Sequence, residues 1–149
     1  MRVICVGNRW RGDDGVGSAV ARRLRAQGMD VDELAGEPAG LIDAWAGADC
    51  VVVVDAVSSR AEPGLVHRVD ATAGPLPVEV FGASTHLLGL GEAVELARAL
   101  GRLPERLIVL GVEGKSFAAG DELSPEVEAA VGAVVEAVRE EAAACTSAR

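Results

Sequence analysis

Basic residues are scarce in this chain. Of 149 residues, 14 are Lys or Arg and 23 are Asp or Glu, for a formal charge of −9. Phosphate backbones and anionic bilayers are held by clustered Lys and Arg, so neither nucleic acid nor a membrane surface is the expected partner. Cysteine is equally sparse: Cys5, Cys50 and Cys145 are far apart, odd in number and form no CxxC. That excludes a disulfide framework or a structural zinc site as the organising principle. Cys5 and Cys50 lie in apolar, strand-like runs and read as small buried hydrophobes. Reduced thiols fit a cytoplasmic location. No run approaches the roughly 20 apolar residues of a membrane span. The opening MRVICVGN reaches a glycine loop after too few apolar residues for the core of a signal peptide. Two catalytic signatures are missing as well. There is no GxSxG elbow, and Gly7, Gly12, Gly15 and Gly17 match neither GxGxxG nor GxxxxGK[ST]. Two acids inside that glycine loop would repel a phosphate, so nucleotide binding and serine or cysteine hydrolysis are set aside.

What is present is a hydrophobic half, enough for a chain of this length to fold as one domain, 1–149, burying roughly 70% of its unfolded surface. Periodicity gives the order of elements. RVICVG (2–7) is a strand closed by glycine, and Asp14 to about Gln27 is an amphipathic helix with Val16, Ala19, Val20 and Leu24 on one face. A second strand is expected at 29–34 and a short helix at 39–46. The run at 49–55, with four consecutive valines, does not alternate; such a strand is buried on both faces, as in the centre of a parallel sheet. Residues 63–70 alternate and follow too closely for a parallel crossover, so this strand is expected to be antiparallel at an edge. After a Gly/Pro loop come a helix from about 86 capped by Ser84 or Thr85, a buried strand at 105–113 and a long closing helix with Ser124 as N-cap and Pro125 at its first position, its tail frayed after about 145. The expected fold class is therefore α/β: a three-layer α/β/α domain with a mostly parallel, twisted sheet of about five strands, one of them antiparallel.

In such sheets ligands bind beyond the carboxyl ends of the parallel strands. The residues placed there are Asn8, Asp13, Asp14, Asp55, Glu113 and, by the start of its helix, His86. Asp13 reads as a helix cap or first-turn acid. Asp14, one residue on, points elsewhere and is the acid available to the crevice. Asp55 follows four valines directly, where a lone buried carboxylate is costly unless it is paired, metal-bound or bonded to loop amides. His67 reads as surface and Glu113 as a loop cap. Two carboxylates and one imidazole suit a divalent transition ion with open coordination positions, held with modest affinity rather than permanently.

These residues fall in stretches that resemble one family over about residues 2–137. GNRWRGDDGVG (7–17) resembles its opening GN-x-x-x-x-D-[DE]-G-x-G loop, EPAGLIDAW (37–45) its turn-helix, VVVVDAV (51–57) its strand ending in Asp-Ala, STHLLGL (84–90) its S-x-H-x-x-G-L segment, and VLGVEGKSFAAGDELSPEV (109–127) its closing stretch. The family is the hydrogenase maturation proteases, nickel-dependent endopeptidases that trim the C-terminal extension of the [NiFe]-hydrogenase large subunit. The resemblance implies that Asp14, Asp55 and His86 are at once the metal-contacting and the catalytic residues. It further implies that the nickel is carried by the substrate, that the partner is a hydrogenase large-subunit precursor, and that the protein works as a cytoplasmic monomer. The alternative is a metal-sensing chaperone that recognises the metallated subunit without cutting it. Two stretches depart from the pattern. Arg9-Trp10-Arg11 stands where the family is more apolar, and Glu113-Gly114-Lys115 replaces its acid/Gln-Pro-Glu; both border the crevice and bear on substrate choice.

Overall fold

The computed structural model describes residues 1–82 and 89–148. Five strands form one sheet: β1 (Arg2–Val6), β2 (Val31–Leu34), β3 (Cys50–Val57), β4 (Val66–Asp70) and β5 (Arg106–Glu113). Their order across the sheet is β2-β1-β3-β5-β4. Every neighbouring pair is parallel except β4 with β5, where His67 stands opposite Gly111. β4 lies at the edge and is half exposed, because residues 58–65 that link it to β3 are too few to cross the sheet. The architecture expected from the sequence is present.

The helices are α1 (Val16–Ala26), α2 (Pro38–Trp45), α3 (Val78–Phe81), α4 (Leu90–Ala99) and α5 (Pro125–Ser147). Strand alternation divides the core between them. Val3, Cys5, Val52, Val54, Ile108 and Leu110 face α1 and α5, which bring Val20, Leu24, Val131 and Val134. Ile4, Val6, Val51, Val53, Leu107 and Val109 face the other way, onto Leu41, Trp45, Phe81 and Val94 of α2, α3 and α4. With a helix layer on each face and a strand on each side, all eight residues of β3 are buried. The valine run is thus the centre of the molecule. α1 can lie close on β1 because Gly17 has no side chain; a Cβ there would sit 2.7 Å from the Val6 carbonyl oxygen.

Three local readings differ, and a fourth lies outside the described residues. The Gly/Pro stretch before α4 contains a short helix, α3, which starts behind Pro77 and is too brief to leave a periodic signal. α4 is described from Leu90; its expected start at 86 and caps Ser84 and Thr85 lie outside the described residues. α5 stays helical through Ser147 instead of fraying near 145. Finally, the thiols are not all reduced: Cys50, expected as a small buried hydrophobe, is joined to Cys145 as a disulfide with Cα atoms 6.2 Å apart, which removes the reduced-thiol ground for a cytoplasmic location and leaves Cys5 as the free thiol. Their pairing follows from α5 running back along the sheet until its last turn reaches the start of β3. Among the described residues, no helix is long and apolar enough to cross a membrane.

Candidate functional site

Strand order reverses direction at β1: the chain passes from β1 to β2 on one side and then returns to place β3 on the other. Such a switch point leaves a crevice beyond the carboxyl ends of β1 and β3. The two candidate carboxylates are carried by the elements that border it. β1 ends at Val6, and the loop after it closes into a 3-10 turn, Gly12–Gly15, that carries Asp13 and Asp14. This turn packs against β3, whose carboxyl-terminal half carries Asp55.

Asp14 is buried and its Oδ2 accepts the Asn8 backbone N–H at 2.8 Å. The loop reaches this position through Gly7, whose φ of +147° is closed to ordinary side chains and where a Cβ would stand 2.1 Å from the Asp14 carbonyl oxygen. Asp55 is 3% exposed and pairs in register with Gly111 of β5. By strand alternation it shares the face of Val51 and Val53, the face covered by α2 and α4. His86, the third residue expected here, lies in 83–88, outside the described residues. Among the described residues, no group of three His, Cys, Asp or Glu side chains is close enough to hold a metal ion. Within them, Asp14 is carried by the loop after β1 and Asp55 by the carboxyl-terminal half of β3, and both are buried.

Asp13 has a different task from the helix cap expected of it. Its Oδ2 accepts the N–H groups of Lys115 (2.7 Å) and Ser116 (3.0 Å) and the Ser124 hydroxyl (2.9 Å), and its Oδ1 accepts the Ser124 N–H (2.7 Å). Burial pushes this carboxyl up, but the Ser116, Ser124 and Lys115 N–H groups and the Ser124 hydroxyl outweigh it and hold Asp13 below its ordinary 3.8. Ser124 occupies the N-cap position of α5, yet its side chain is turned to Asp13 and not to the helix. This acid therefore ties both ends of the β5–α5 connection, at 115–116 and at 124, to the β1 loop. Both acids of the Asp-Asp pair are buried, and they serve different ends of the chain.

Glu113 is the loop cap expected, with partners that no local spacing reveals. It is fully buried and accepts the Ser59 backbone N–H on both oxygens at 3.2 Å. It also accepts the Ser59 hydroxyl, and His67 Nε2 lies 3.1 Å from its Oε1. His67 is accordingly not a free surface residue: it helps hold the loop that leaves β3 just after Asp55. The signal available in the sequence was a charged residue ending an otherwise apolar strand.

The family model for hydrogenase maturation proteases matches residues 18–141. The chain belongs to that family. FrxA of Pyrococcus furiosus is 33% identical to it over 133 residues, covering 85% of the chain and 93% of FrxA. The hydrogenase expression/formation protein HupD of Thiocapsa roseopersicina is 29% identical over 140 residues; these cover 90% of the chain but only 63% of HupD, so the chain spans less than two thirds of that relative. Among solved structures, the [NiFe] hydrogenase maturation protease HybD from Thermococcus kodakarensis superposes with a TM-score of 0.70 at 26% identity, covering 94% of this chain and 98% of that one. This hydrogenase maturation protease is thus a peptidase by family, and the crevice at β1 and β3 lies inside the common fold.

Proposed function

We propose that the chain is the endopeptidase that removes the C-terminal extension from a nickel-loaded [NiFe]-hydrogenase large-subunit precursor. The observation that carries this reading is the pair of buried carboxylates, Asp14 and Asp55, at the switch point of a hydrogenase maturation protease fold. Burying two carboxylates beside one crevice is costly unless a cation or strong donors compensate them. A nickel ion seated in the precursor supplies such a cation, which makes the metal part of the substrate. On this reading Asp14, Asp55 and His86 contact that nickel, and His86 is carried by its expected place at the start of a helix and by the S-x-H-x-x-G-L resemblance. Docking then occurs when metal is present, so metal loading licenses cleavage.

Hydrolysis adds a water oxygen to the scissile carbonyl carbon, breaks the C–N bond and delivers a proton to the departing amine. Nickel brought by the precursor would supply polarisation of the carbonyl or of the water, held by residues among Asp14, Asp55 and His86. A carboxylate engaged with the metal is a poor base, so holding the ion and accepting the proton fall to different carboxylates.

Incubation with a nickel-loaded precursor large subunit, followed by mass spectrometry of its C-terminus, tests the assignment. The expected result is a single truncation by the wild type. Binding without truncation would favour the chaperone reading, and truncation surviving Asp14→Ala, Asp55→Ala and His86→Ala would sink the residue assignment.

A further inference from the structure

The chain contains two tryptophans. Trp45 is buried under the sheet, whereas Trp10 is 57% exposed, four residues before Asp14. Its exposure does not come from a loose loop. The Trp10 N–H donates to Asn8 Oδ1 at 3.0 Å, and its carbonyl accepts the Gly120 N–H at 2.9 Å. The Gly12 N–H in turn donates to the Gly120 carbonyl at 2.9 Å, so two strands of loop hold each other. The Arg9 guanidinium lies over the indole, 4.5 Å from its centroid. Stacking of this kind restrains both side chains. Arg9 and Trp10 therefore form a fixed ridge on the rim of the crevice.

A cleft opens on each side of the ridge. One, of about 490 Å³, is lined by Arg9, Trp10, Ser18, Arg22, Asp121 and Leu123. The other, of about 360 Å³, is lined by Asn8, Trp10, Glu33 and Leu34 among others. In a chain of charge −9, two arginines meet in the larger cleft, Arg9 from the loop and Arg22 from α1. Its far wall carries Asp121, Glu122 and Glu128, the last paired with Arg23 at 3.7 Å. That acidic wall rules out a nucleic acid, which would meet carboxylates along half its track. An open, two-walled cleft with one basic wall and an aromatic rim suits an extended polypeptide that carries a carboxylate.

We propose that the Arg9–Trp10 ridge and the Arg22 cleft are the docking site for the segment of substrate that flanks the cleaved bond. The segment is the C-terminal extension of the precursor, an identity that rests on the function proposed above. A carboxylate of the extension meets Arg9 and Arg22, and an apolar side chain packs on Trp10. The position suits the chemistry: Asn8 donates its N–H to Asp14 and accepts that of Trp10, so one residue joins the ridge to the candidate metal-contacting acid. A chain laid across the ridge is delivered to Asp14 at a fixed offset.

Two readouts test this. The first is tryptophan emission: Trp10 supplies the solvent-exposed component and Trp45 the buried one. A synthetic peptide of the extension should quench or blue-shift the exposed component saturably. The same peptide with its carboxylates converted to amides should bind about tenfold more weakly. The second is the kinetics of cleavage of the nickel-loaded precursor. Trp10→Ala and the Arg9→Ala/Arg22→Ala pair should each raise KM about tenfold with kcat changed less than twofold, and Trp10→Phe should restore most of the loss. Circular dichroism and Tm should match the wild type, since the residues changed are at the surface. Unchanged KM in both variants, or an exposed emission component indifferent to saturating peptide, would overturn the docking site while leaving the protease reading intact. Failure of the wild type to cleave any metallated precursor would overturn the protease reading instead; saturable, carboxylate-dependent quenching of Trp10 would still support the docking site.

Discussion

Asp13 accepts both the backbone N–H and the hydroxyl of Ser124, a residue 111 positions away, at 2.7 and 2.9 Å. With Lys115 and Ser116 it takes four donors in all. Asp13→Ala should therefore destabilise the fold by roughly 3 kcal/mol, because buried donors are left unsatisfied. Urea denaturation measures this. A loss under about 1 kcal/mol would show that water replaces the carboxylate without difficulty.

Removal of Asp14 or Asp55 should act on rate. Asp14→Ala and Asp55→Ala are each expected to lower precursor cleavage by about a hundredfold or more, with Tm within a few degrees of the wild type. Quantitative mass spectrometry of product over time supplies the rates. Wild-type rates in either variant would remove that residue from the chemistry.

Gly7→Ala should inactivate for a steric reason. The added Cβ would collide with the Asp14 carbonyl at a φ of +147°, so the acid must move or the loop must open. A large fall in kcat, larger than that of Trp10→Ala, is the expected outcome. Full activity would show that the loop relaxes around the change.

Acid should loosen the end of α5. Glu141 bridges Arg68, whose Nε donates to one oxygen, and Arg106, whose Nη2 donates to the other at 2.6 Å. The Arg68 bond, with Arg106 adding to it against the effect of burial, holds this carboxyl below its ordinary 4.5. A lowered folded value stabilises above the ordinary one, and that contribution disappears as pH falls through it. Wild type should therefore exceed Glu141→Gln in stability by about 1 kcal/mol at neutral pH. The gap should close in the acid range below 4.5. A constant gap across a pH series of melts would contradict the assignment.

The disulfide closes a loop of 95 residues between the start of β3 and the last turn of α5. Closing such a loop constrains the unfolded chain by roughly 4 kcal/mol, so reduction should lower Tm by about 10 °C. Cys50 is at the opposite end of β3 from Asp55, and cleavage at moderate temperature should be little affected. Thiol titration offers a second check. Cys5 is the free cysteine, and burial, with Glu33 adding to it, pushes its thiol up to about 12. Native protein should react negligibly, denatured protein should release one thiol, and denatured reduced protein three.

Most of the architecture was legible because it depends on local pattern. Four valines without alternation placed β3 at the centre, a short link made β4 antiparallel, and Ser124-Pro125 marked the start of α5. Asp55 stood out because a charge directly after a buried run must be compensated. What escaped was non-local. The Cys50–Cys145 pairing depends on where a long helix ends against a distant strand. The partners of Asp13 lie beyond residue 114, and those of Glu113 lie some fifty residues upstream, so no spacing rule links them. α3 is a single turn and leaves no period to read.

The clasp between Asp13 and Ser124 has one more consequence. Because Asp13 and Asp14 are consecutive in a 3-10 turn, whatever displaces the first rotates the second. The loop ahead of α5 therefore acts as a strut for the neighbouring carboxylate, Asp14. Substitution of Ser124, whose hydroxyl donates to Asp13, should slow the enzyme as well as loosen the fold.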